Sequence, residues 1–165
     1  MSLYLRPLDV VDDANLFRES YNWRPKHRKT QPNPMSLEQF MSNDPSQLTI
    51  GLFNGDFLAV YVLQEVEPAK FQVHFTSSRK ADPEDVIAGA RQVLAFMLEN
   101  GGKEVWAYIV ARNDPVRRFV ESVGFEFDSF EEMCCITTQN GDRVSDEQAS
   151  SLVRYARYVK RTTSP

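Results

Sequence analysis

Apolar and polar positions alternate, change period and alternate again along this chain, and each change marks an element. Leu3, Leu5 and Leu8, with Tyr4 and Arg6 between them, alternate as in a short strand ended by Pro7. Asp12 or Asp13 then stands at the cap of a helix on which Leu16, Phe17 and Tyr21 recur at helical spacing. Residues 22–34 carry Pro25, Pro32 and Pro34 among Arg24, Lys26, His27, Arg28 and Lys29, which predicts a basic loop. Ser36 opens a second short helix with Leu37, Phe40 and Met41, and Glu38 and Gln39 fill its first turn.

Strand signals follow in series. Residues 47–53 run into Asn54-Gly55, a hairpin dipeptide. In residues 56–66, Phe57, Ala59, Tyr61 and Leu63 alternate with Leu58, Val60 and Val62, so both faces are apolar and a central strand is expected. After the turn at Glu67-Pro68-Ala69-Lys70, Phe71, Val73 and Phe75 form the next strand. Asp82-Pro83-Glu84-Asp85 then reads as a helix start: a cap, a proline at the first helical position, and acids in the first turn. Val86, Ile87, Ala90, Val93, Leu94, Met97 and Leu98 give that helix its apolar face, and Gly101-Gly102 end it. Residues 104–110 form a strand. Asp114-Pro115 opens a further helix with Val116, Phe119, Val120 and Val123 inward and Gly124 as its stop. From Phe125 the chain is extended again, with a turn at Asn140-Gly141. Ser145-Asp146-Glu147-Gln148 reads as a capping box and predicts a last helix to about Lys160.

The segment 71–110 is strand, helix, strand. Its crossover must be right-handed, which sets two parallel strands side by side. The expected class is α/β, a mixed central sheet with helices on both faces. Residues 1–144 form the domain, and 145–165 an amphipathic helix and tail packed on it or on a partner. In that helix Leu152, Tyr155, Ala156 and Val159 make one stripe, and Arg154, Arg157, Lys160 and Arg161 are basic. Such a stripe packs on its own domain or on a symmetry mate, as in a homodimer.

Composition narrows the class. A chain of 165 residues fits one domain and can bury most of its apolar surface without staples. The net charge of −4 supplies no basic field for nucleic acid or anionic membrane, and no apolar run approaches the roughly 20 residues of a membrane span. The first residues are too few and too charged for a signal peptide, so a cytoplasmic location is expected. Cys134 and Cys135 are adjacent, and neighbouring strand positions point to opposite faces, so reduced thiols are expected rather than a disulfide or a zinc site.

The element order, the opening Leu3-Tyr4-Leu5-Arg6-Pro7-Leu8, and the stretch Asn113-Asp114-Pro115-Val116-Arg117-Arg118-Phe119-Val120-Glu121-Ser122-Val123-Gly124-Phe125 resemble the GNAT N-acetyltransferases. In them an Asn-x-x-(Ala)-x-x-(Leu/Phe)-x-x-x-x-Gly-Phe segment follows the fifth strand. The resemblance covers about residues 3–138 and implies acetyl-CoA as acyl donor. It also implies a fourth and a fifth strand that splay to admit the pantetheine arm, with Asn113 bonding that region. The pyrophosphate would lie on N–H groups at the next helix start, in an Arg/Gln-x-x-Gly-x-Gly/Ala loop.

The sequence departs from that pattern in two places. In the loop 76–85, Arg79 stands at the Arg/Gln position, but Asp82 and Glu84 replace both glycines and Pro83 removes a donor. Two like charges roughly 5 Å apart cost about 3 kcal/mol at an effective dielectric of 20, so these acids oppose a pyrophosphate. The tyrosine that many members use to protonate the departing thiolate is Val120 here, as it is replaced in members that acetylate protein N-termini.

The resemblance assigns CoA contacts to Ser77, Ser78, Arg79 and Asn113, and polarisation of the thioester carbonyl to the backbone N–H of Phe75 or Thr76. His74 is the candidate base, because its ordinary pKa lies near neutrality, although Val73 and Phe75 leave its face open. Glu65 and Glu67 end the third strand and are either site groups or solvated charges before Pro68. Trp23 and His27 lie in or beside the loop that lids the acceptor site in the family. Trp23 either grips an acidic or aromatic partner or anchors its own loop. Two functional readings follow. One is an acetyl-CoA-dependent N-acetyltransferase for a small-molecule or peptide amine. The other is an inactive GNAT-fold binding or structural module, such as the GNAT-like proteins of tailed phages, which the chain resembles more weakly.

Overall fold

A computed structural model describes residues 2–24, 35–110, 114–131 and 152–158. Its sheet is built around the strand whose two faces are both apolar. In β3 (Asp56–Glu67), Ala59, Val60, Tyr61, Val62 and Leu63 are at most 1% exposed, as the doubly apolar pattern requires. β2 (Gln47–Asn54) and β4 (Lys70–Ser77) flank it antiparallel. Gly55, at φ 72°, makes the first turn, and Ala69, at φ 63°, the second. β1 (Tyr4–Pro7) extends the β2 edge. On the other side lie β5 (Glu104–Val110), β7 (Leu152–Tyr158) and β6 (Glu126–Glu131), giving the order β1-β2-β3-β4-β5-β7-β6. Among the described strands only the β4–β5 pair is parallel, as a helical crossover demands.

Alternation along β3 divides the core. Ala59, Tyr61 and Leu63 pack with α3 (Pro83–Glu99) and α4 (Asp114–Val123), through Val86, Val93, Leu94, Val120 and Val123. Val60 and Val62 face the opposite side, with Phe17 and Tyr21 of α1 (Ala14–Asn22) and Phe40 of α2 (Leu37–Phe40). Ser36 and Gln39 form the reciprocal capping box of α2, and Asp82 caps α3 with Pro83 behind it. Asp13 occupies the cap position of α1 without capping it. Its carboxylate instead takes both terminal nitrogens of Arg6 at 2.9 Å.

One expected element is corrected. Residues 152–158 form a strand, not part of a helix, and they are integral to the sheet between β5 and β6 rather than an appendage packed on it. All seven residues of β5 pair with β7, from Glu104↔Tyr158 to Val110↔Leu152. Without β7, the outer edge of β5 would leave its backbone groups unpaired. Val153, Tyr155 and Tyr158 are also strand formers. The stripe at spacing three and four follows the helical period, and the ladder with β5 and β6 overrides it. The cysteines and the turn at 140–141 lie outside the described residues.

Tyr61 donates its hydroxyl proton to the carbonyl of Val86 at 2.7 Å, pinning the first turn of α3 to the sheet. The approach is close because Gly89 faces the ring. A Cβ there would stand 2.7 Å from the hydroxyl oxygen and 3.0 Å from both Leu52 methyls. Gly89→Ala is therefore expected to destabilise by about 1–3 kcal/mol, reversing the ~1 kcal/mol that alanine gains over glycine in an open helix. Urea denaturation checks the sign.

Candidate functional site

β4 is held to β3 from Glu67↔Lys70 to Ala59↔Ser77, and β5 is held to β7 along its whole length. Between β4 and β5, however, the ladder has only Lys70↔Glu104, Phe71↔Val105 and Gln72↔Trp106. Residues 73–77 and 107–110 continue without pairing to each other. Among the described residues no other strand enters this gap. Phe75, in the part of β4 that borders the gap, stacks on Phe119 of α4, ring centroids 4.4 Å apart.

The loop after β4 is already closed upon itself. The N–H of Ser78 donates to Leu58 O at 2.8 Å, that of Lys80 to Ser78 Oγ at 3.2 Å, and that of Ala81 to Ser78 O at 3.1 Å. At the start of α3, the Glu84 N–H goes to the Asp82 carboxylate, and the Asp85 and Val86 N–H groups to the Asp82 carbonyl. Pro83 has no N–H to offer. Arg79, Lys80, Asp82 and Glu84 are exposed.

On the other face of β4, a cleft of about 520 Å³, part of it open to solvent, lies under α1 and α2. Tyr21, Met35, Phe40, Val60 and Val62 make its apolar wall, Ser20, Arg24, His74 and Thr76 its polar positions, and Phe75 borders it from β4 although its ring lies on the opposite face. Cleft and gap therefore share residues 74–76. His74 belongs to a chain of side-chain amides. Gln47 donates Nε2 to the carbonyls of Gln39 (3.0 Å) and Phe40 (3.3 Å), and its Oε1 accepts from Gln64 Nε2 at 3.3 Å. Gln64 Oε1 is left facing His74 Nε2 at 3.1 Å. Since carbonyls only accept, the direction of every link is fixed. The imidazole must carry its proton on Nε2 and keep its lone pair on Nδ1. Burial lowers its pKa from 6.5 to about 4, so the ring is neutral at pH 7.

Solved structures similar to this chain include an N-acetyltransferase from Staphylococcus aureus Mu50, at TM-score 0.74 and 13% identity over 96% of this chain and 98% of that one. A candidate phosphinothricin N-acetyltransferase matches at 0.70 and 18%, over 97% and 100%. So does spermidine N-acetyltransferase from Vibrio cholerae, in complex with CoA and spermine, at 0.70 and 11%, over 94% and 95%. This is the GNAT acetyltransferase fold. No sequence-family model and no curated protein sequence matches the chain.

In GNAT terms, His74, Phe75 and Thr76 stand together where gap meets cleft, Ser77 ends β4, and Ser78 and Arg79 follow in the loop. Trp23 stands elsewhere. It packs on Phe57, centroids 5.0 Å apart, in a row that runs through Phe53 to Tyr4, so it anchors its segment and does not line the cleft. Glu65 pairs in register with Phe71, at the zipped end of β4, and accepts from the N–H of Ala69 at 3.3 Å. Glu67 pairs with Lys70 at 3.2 Å. Both acids belong to the turn. His27 and Asn113 lie outside the described residues. Sequence reasoning missed Gln47 and Gln64 as site residues. Two glutamines among strand apolar residues were the available signal, but only the register Gln47↔Gln64 brings them together.

The depressed pKa of His74 has a thermodynamic sign. An unfolded chain titrates this ring near pH 6.5, so between about pH 4 and 6.5 the unfolded state binds more protons than the native state. Stability is full above pH 6.5 and is lost as the pH falls towards 4. A loss on the order of 2–3 kcal/mol is expected across that window, and His74→Gln should flatten it. Chemical denaturation at stepped pH reads it, and an unchanged slope in the variant would contradict a neutral native ring.

Proposed function

We propose that this protein transfers an acetyl group from acetyl-CoA to an amine that binds in the cleft under α1 and α2. The observation that carries this reading is the meeting of gap and cleft at residues 74–76, which gives a donor and an acceptor one common edge. The gap suits an extended pantetheine chain, because unpaired strand edges offer backbone donors and acceptors to a strand-like ligand. Backbone N–H groups at Phe75 or Thr76 are the candidates for polarising the thioester carbonyl.

The acceptor arrives neutral, a form that the largely apolar cleft favours over an ammonium. Its nitrogen attacks the thioester carbon. The proton released from that nitrogen passes to Nδ1 of His74, the carbon–sulfur bond breaks, and the proton then returns to the thiolate directly or through water. N-acetylated amine and free CoA result. Gln64 and Gln47 hold the imidazole in the tautomer that leaves Nδ1 basic.

The loop fits its share of the ligand less well, since most of its N–H groups are engaged and Asp82 and Glu84 are negative. That observation favours a second reading, a GNAT-fold module without turnover. Calorimetric titration with acetyl-CoA separates the two: a micromolar dissociation constant supports the enzyme, and no heat at millimolar ligand supports the module. Asp82→Asn with Glu84→Gln keeps a capping side chain and removes both charges, and is expected to tighten acetyl-CoA about 10-fold or more. His74→Gln should lower kcat roughly 10²- to 10⁴-fold while leaving acetyl-CoA affinity in place, measured by thiol release.

A further inference from the structure

Arg24, just beyond the end of α1, lines the same cleft as His74. One terminal nitrogen reaches Ser77 Oγ at 3.3 Å, while its Nε is buried without a hydrogen-bond partner. A guanidinium carries five N–H donors in a planar fork, and a buried donor left unmade is costly. Among the described lining residues it is the one charged group, and no carboxylate stands there to neutralise it. His74 is neutral, by the pKa given above, and residues 25–34 contain neither Asp nor Glu. Much of the remaining described lining is apolar, including Tyr21, Phe40 and Val62.

We infer that the acceptor carries an oxyanion, a carboxylate or a comparable phosphorus acid, which the Arg24 guanidinium takes while the amine lies at His74. This inference rests on the acetyl-transfer reading and narrows its substrate to amino-acid-like amines. A fork of parallel N–H donors matches two oxygens of one oxyanion, and such charge-assisted bonds are strong in a cleft of low polarity. A polyamine would meet like charge at Arg24 and find no acid among the described lining residues.

Matched probes test this on the intact protein. L-phenylalanine is compared with phenethylamine, and L-methionine with 3-(methylthio)propylamine. Spermidine serves as the cationic probe. Binding is read by saturation-transfer NMR in the presence of acetyl-CoA, and transfer by thiol release. The carboxylated member of each pair is expected to bind about 10- to 100-fold more tightly. Arg24→Gln should abolish that preference with acetyl-CoA affinity unchanged, and Arg24→Lys should restore part of it. The inference is overturned if wild-type protein does not discriminate within the pairs (binding of neither member included), if spermidine binds best, or if Arg24→Gln weakens acetyl-CoA instead. Failure of the acetyl-transfer reading looks different: no thiol release from any probe and no heat with acetyl-CoA, whatever the binding preference. Because the wild-type comparison needs no variant, poor folding of Arg24→Gln leaves the test standing.

Discussion

Parallel strands gain nothing from pairing part way unless something else holds them, and in this sheet each of the two central partners is held from its outer side. β3 grips β4 along its length and β7 does the same for β5, so the shared ladder can stop at Gln72 and Trp106 while both strands run on. The opening leaves backbone polar groups facing each other across a gap, an arrangement that structures avoid where water cannot reach. Phe75, in the part of β4 that borders the opening, stacks on Phe119 of α4. His74 lies on the part of β4 that borders the opening, and the loop follows that strand.

Charge is distributed along the same strand. Near the shared edge His74 is kept neutral and its tautomer is set through two glutamines from the carbonyls of Gln39 and Phe40. Amides suit this task because each presents one donor and one acceptor and cannot titrate. Further along, Arg24 crosses to Ser77 and brings a cation to the end of the strand. Beyond it come Asp82 and Glu84, exposed at the start of α3, where they stabilise the helix that an incoming phosphate would also use. Helix stability and anion binding compete for one set of N–H groups, and in this chain the helix has taken most of them.

Much of this was legible in the residues. The doubly apolar pattern around Tyr61 marked the central strand, Asn54-Gly55 and Asp82-Pro83 marked a turn and a cap, and all are found as read. Local signals failed where a distant partner outbid them. Asp13 looks like a cap until Arg6 engages both of its oxygens, and residues 152–158 look helical until the edge of β5 requires a ladder. For Trp23 the residues left recognition and anchoring of its own loop both open, and the ring is found packed on Phe57 of β3. The glutamine chain links α2, β2, β3 and β4. Only register makes those residues neighbours, and register is not written in any one of them.

Amide hydrogen exchange, followed by NMR without and with acetyl-CoA, tests the opening most directly. Successive N–H groups of a strand point to opposite sides, so within residues 73–77 every second amide should be protected by β3 while those between exchange quickly. Residues 107–110 should alternate likewise against β7, and acetyl-CoA should slow the fast set. Uniform protection of both stretches in the free protein, or a fast set that acetyl-CoA leaves untouched, would contradict a ligand slot between β4 and β5.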